Sequence, residues 1–268
     1  MKAQKILFIT SEMAPFVPDS HNAIMGRYMP QAIQELGHEI RTFTPKWGNI
    51  NERRNQLHEV IRLSGMNLII DETDHPLIIK VASLQAAHMQ IYFIDNDDYF
   101  MKRQIVTDEN GEEYDDNGER AIFYARGVLE TVKKLRWVPD VIHCHGWISA
   151  LAPLYIKKAY KDEPSFCDAK VVFSVSGPEL TKPLGQNTLN SIPFKGATLD
   201  EVQDICQEQF THTELMKIAT KFSDGIIIDD PTVDASVIEY AKSLNVPVLD
   251  YQGEDYTQAY SDFYNSIM

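Results

Sequence analysis

Apolar positions along this chain fall into two rhythms. Short continuous runs, KILFIT at 5–10, EIRTFTP at 39–45, KVVFSV at 170–175 and GIII at 225–228, read as strands buried on both faces. Between them lie stretches with helical spacing at 23–36, 119–135, 199–222 (broken near Thr211), 232–244 and 256–268. The stretch 139–158, PDVIHCHGWISALAPLYIKK, joins the two rhythms. Val141 and Ile142 make a buried strand, Gly146 a sharp turn, and Ile148, Leu151, Ala152, Tyr155 and Ile156 one helical face. A strand running into an amphipathic helix is the unit of a parallel sheet, whose strand ends gather ligands. His143, Cys144, His145 and Trp147 fall at that point.

Three runs, 62–71, 77–84 and 89–94, follow one another without an intervening helix and predict an antiparallel extension. A last short strand is expected at 246–249. The polar stretch 102–118 and the glycine- and proline-bearing stretch 178–198 read as loops. The fold class is therefore α/β: a Rossmann-like, mostly parallel sheet with helices on both faces, expected as a single domain over residues 1–268.

Composition narrows the function classes. The formal net charge of −14 argues against nucleic acid and against anionic membrane surfaces, whereas a neutral sugar polymer needs no basic pocket. Cys144, Cys167 and Cys206 have neither metal-ligand spacing nor a secreted framework, which points to a reduced cytoplasm. No run reads as a secretory signal or a membrane span. His143 and His145 stand two apart on a strand, yet no further ligand is identifiable by spacing, so no metal and no cofactor is expected.

Several blocks, KILFITSEMAPF, MPQAIQELGHEIRTFTPKWGNI, YFIDNDDYF, DNGERAIFYARGVLE and PDVIHCHGWISALAPLYIK, in this order, resemble the N-terminal half of bacterial glycogen synthases and plant starch synthases. The resemblance implies a two-domain retaining glycosyltransferase of the GT-B type. The acceptor glucan lies mostly on the N-terminal domain and the nucleotide-glucose mostly on the C-terminal one. This chain ends where the first domain would end, so the donor domain is expected to be absent. The family's lysine-threonine-glycine-glycine-leucine loop is replaced by Pro18, Asp19, Ser20, His21 and Asn22. Its His-Asp-Trp-His becomes His145, Gly146, Trp147 and Ile148, and its His-Asn becomes Ser176 and Gly177.

The resemblance makes Glu12, Asp95, Asn117, Arg120, His145, Trp147 and Ser176 the candidate substrate contacts and leaves no candidate catalyst. Trp147 is open to two uses, stacking on a sugar or anchoring the core, and Asn117 equally suits a helix cap. Two functions follow: a non-catalytic binding or regulatory module linked to glucan metabolism, or a subunit that completes a glucosyl-transfer site with a separate chain. An independent metal hydrolase stands behind both. The strand-end face, carrying Met13, Phe16, Val17, Met25, Trp147 and Pro178, is expected to be covered by a second copy, by another protein, or by the chain's own 178–198 segment.

Overall fold

The computed structural model describes residues 3–206 and 209–268. Ten strands form one sheet: β1 (Lys5–Thr10), β2 (Glu39–Pro45), β3 (His58–Glu59), β4 (Met66–Ile70), β5 (Thr73–Leu84), β6 (Met89–Asp95), β7 (Val141–His145), β8 (Lys170–Val175), β9 (Gly225–Ile228) and β10 (Val248–Leu249). Their order is β10-β9-β8-β7-β1-β2-β6-β5-β3, with β4 branching from β5. All pairings from β10 to β6 are parallel; β6 with β5, and β5 with β3 and β4, are antiparallel. Strand period two sorts β1 side chains onto opposite faces. Leu7 and Ile9 join the larger core, while Ile6 and Phe8 join a smaller one with Met25, Met29, Ile33, Tyr260 and Tyr264.

The helices are α1 (His21–Glu35), α2 (Asn117–Leu135), α3 (Ala152–Lys158), α4 (Gly185–Ser191), α5 (His212–Lys221), α6 (Ala235–Ser243) and α7 (Tyr256–Ser266). Ser20 caps α1 through its side chain, and Thr211 with Glu214 forms a capping box on α5. That box explains the break near Thr211: the expected helix 199–222 is a single 3₁₀ turn at Leu199–Glu201, irregular backbone, and then α5. Gln207 and Glu208 of that expected helix lie outside the described residues.

Other departures have local causes. The polar residues between the runs 62–71 and 77–84 are mostly strand: β4 starts only at Met66, and Asp71 and Glu72 alone make the turn, both at positive φ as a two-residue hairpin loop requires. Pro76 sits inside β5, and its carbonyl accepts from Asn96 Nδ2. The helix after β7 begins as a 3₁₀ turn, Trp147–Ser149, before α3 starts. The 178–198 segment is not all loop, because α4 lies within it. There Gly118 of α2 is so close that a Cβ would meet Thr188 Oγ1.

Candidate functional site

Chain connections run in opposite directions from β1, to β2 on one side and to β7, β8 and β9 on the other. The crevice outside the carboxyl ends of β1 and β7 is thus the switch point of the sheet. Ser11 and Glu12 leave β1 there, Gly146 and Trp147 leave β7, Ser176 leaves β8, and Asp229 leaves β9. The first residues of α1, His21 and Asn22, close the opposite side.

At its centre a hydrogen bond of 2.7 Å joins His145 Nε2 and Asp229 Oδ2, with both side chains wholly buried. His21 Nε2 stands 3.8 Å from the same oxygen, with 41 % of its side chain open to solvent. Burial works against the Asp229 carboxylate. The charge and hydrogen bond of His145, aided by His21, outweigh it and hold the acid below its usual range. Pairing with Asp229 pushes the His21 imidazole up. Asp229 Oδ1 and His145 Nδ1 are buried without a hydrogen-bond partner.

Two more carboxylates face this group. Glu12 accepts from Ser20 Oγ at 2.7 Å, and Glu179 accepts from the Trp147 amide at 2.9 Å and from Asn22 Nδ2 at 2.5 Å. Burial raises both acids. For Glu179 the neighbouring charges of Glu12 and Asp229 add to it, and its carboxyl sits well above the ordinary range. Among the described residues no lysine or arginine pairs with Glu12, Glu179 or Asp229. The turn itself excludes a side chain at Gly146. Its φ is +82°, and a Cβ would fall 2.2 Å from Ser11 Oγ. An aspartate in that place would be strained as well as crowded.

The seven candidate contacts divide. Glu12, His145 and Ser176 converge on the crevice, where Ser176 Oγ is buried without a partner. Trp147 is fully buried, 6.4 Å from Trp47 between ring centroids, and serves the core. Asp95 pairs with Lys80 at 2.8 Å. Arg120 is enclosed and donates to the carbonyls of Tyr99, Gln104 and Ile105 and to Asn117 Oδ1, while Asn117 Nδ2 donates to Val106 O. These two are therefore committed to pinning residues 99–106 onto α2. Burial lowers the Arg120 guanidinium to about 9. His143 does not act with His145: it lies between Tyr264 Oη and Ser174 Oγ, each at 2.6 Å, and burial lowers it to about 3. Sequence reasoning missed Asp229 and Glu179. Asp229 had a signal, since it directly follows a buried strand just as Ser176 does.

The strand-end face is closed without a partner. Met13, Phe16, Val17, Met25 and Trp147 are all buried within the single chain, while Pro178 is exposed. The 178–198 segment reaches the crevice through Glu179 and adds Leu180, Leu184 and Leu189 to the core. Of the three expected covers, this one is present, so the apolar motive for a twofold dimer falls away. A cleft of about 350 Å³ remains beside it, lined by Glu12, Ser20, Asn49, Gln104 and Thr107 among others. No described helix is long and apolar enough to cross a membrane.

The chain is 40 % identical over 172 residues to a glycogen synthase of Chlorobium limicola, covering 64 % of this chain and 35 % of that protein. To a glycogen synthase of Chlorobaculum parvum it is 31 % identical over 229 residues, covering 85 % and 46 %. It thus spans less than half the length of these relatives. The fold matches the catalytic domain of starch synthase IV from Arabidopsis thaliana, solved with ADP and acarbose. The TM-score is 0.75 and the identity 16 %, over 93 % of this chain and 51 % of that one. The family model described as the starch synthase catalytic domain matches residues 5–245, and the chain belongs to that family.

Proposed function

We propose that this chain is the acceptor-side domain of the synthase fold serving as a cytoplasmic glucan-binding module, without glucosyl transfer of its own. The observation that carries the reading is Glu179. Its carboxylate takes the Trp147 amide at the switch-point turn, where an anionic ligand would meet a backbone donor. Glu12 and Asp229 neighbour it and Asp19 lines the adjoining cleft, so a nucleotide diphosphate meets carboxyl oxygens rather than a phosphate cradle. Stabilising a leaving diphosphate requires positive groups or free amides at that position. A neutral glucan needs neither. The cleft beside Glu12 offers carboxylate, hydroxyl and amide groups suited to sugar hydroxyls, in a volume of about 350 Å³.

Native electrophoresis through glycogen-containing gels tests the binding half, and calorimetry with ADP-glucose and UDP-glucose tests the other. Retardation by glycogen, lost in an Asn49→Ala/Gln104→Ala double variant, is expected together with no heat from either nucleotide sugar. Both side chains are exposed, so the variant should fold. Protein-dependent incorporation of labelled glucose into glycogen would overturn the proposal.

A further inference from the structure

The group at the ends of β7 and β9 has more donor atoms than the protein satisfies. His21, His145 and Asp229 each offer one ligand atom within 4.8 Å of the other two. Two are interior residues, and each retains a buried polar atom with no hydrogen-bond partner, His145 Nδ1 and Asp229 Oδ1. The third, His21, opens onto a cleft that also carries Ser20, Asn22, Ser176 and Asp230, which gives an entry path. Two imidazoles and one carboxylate are the donor set of borderline divalent ions such as zinc, with solvent completing the coordination. Glu12 and Glu179 flank the group with carboxyl oxygens, and among the described residues no lysine or arginine pairs with them, so no protein cation competes for the position. We infer that His21, His145 and Asp229 form a binding site for one zinc-class divalent cation. On binding, the ion would displace the proton shared by His145 Nε2 and Asp229 Oδ2 and release it to solvent. The cleft on the far side of Glu12 is untouched by this inference.

Chelator-stripped protein titrated with zinc chloride, followed by calorimetry and thermal unfolding, tests the site. Saturable uptake of one equivalent with a raised melting temperature is expected. His21→Ala should weaken it by at least about tenfold, as loss of a ligand does at least what loss of an outer partner does. His88→Ala serves as a control for adventitious uptake by exposed histidines and should leave binding unchanged. Circular dichroism checks that both variants are folded. Absence of one-equivalent uptake, retention of wild-type affinity in His21→Ala, or equal loss in both variants would each overturn the assignment. None of these outcomes bears on glycogen binding.

Discussion

Glu179 shows how one side chain can change what a turn is for. Its acid sits well above the ordinary 4.5, because burial and then the charges of Glu12 and Asp229 disfavour the ionised form. A raised acid binds its proton more tightly when folded. Its stabilising contribution is therefore full below the unfolded value and is lost as pH rises through the folded one. Glu179→Gln removes that dependence, so the variant should gain stability relative to the parent as pH rises above the ordinary carboxyl value of 4.5. The gain should be at least on the order of 1 kcal/mol, the worth of a carboxyl displaced by about one pH unit. Urea unfolding at several pH values checks it, and a difference that shrinks as pH rises would contradict the sign. None of this was legible in the sequence, for the partner of Glu179 is a backbone amide 32 positions away. His145 was legible, because a strand ending in a glycine turn places its last residue at the ligand end of a parallel sheet.

At the level of elements, α2 does more than cover the sheet. Arg120 reaches back from its first turn to three carbonyls of residues 99–105, which lead into the wall of the cleft beside Glu12 at Gln104–Thr107. Arg120→Met would leave those carbonyls and Asn117 Oδ1 without a donor and should cost about 3 to 5 kcal/mol. The urea midpoint measures the loss, and faster proteolysis within 101–116 should accompany it. An unchanged midpoint would show that the pin is dispensable. Elements of this kind were readable where burial was two-sided or the helix long. β1, β2, β8 and β9 stand where their apolar runs placed them. The seven-residue α4 was not readable, since GQNTLNS has little apolar patterning and is held by its contact with α2. The two-residue β3 carries no signal of its own and exists because β5 is long enough to pair with it.

For the whole molecule, the sheet is continuous from β10 to β5 with a large core on one face and a smaller one on the other, and the apolar side chains at the strand ends are buried by the chain itself. The 268-residue chain should therefore sediment as a monomer at micromolar concentration and unfold in one cooperative step. A stable dimer would locate self-association on some other surface, and two resolved transitions would divide the sheet. The burial of aromatic residues has an optical consequence. All three tryptophans are shielded: Trp47 and Trp147 are wholly buried, and Trp137 is 5 % exposed. The native emission should thus come from indoles in dry surroundings, with no surface tryptophan to mask a change. Two of the three report from the crevice itself. Trp47 Nε1 donates to Ser11 O at 2.8 Å, and the Trp147 amide holds Glu179. A ligand that displaces the Glu179 carboxylate or shifts Ser11 would alter that fluorescence directly, so the protein carries its own unlabelled reporter of occupancy.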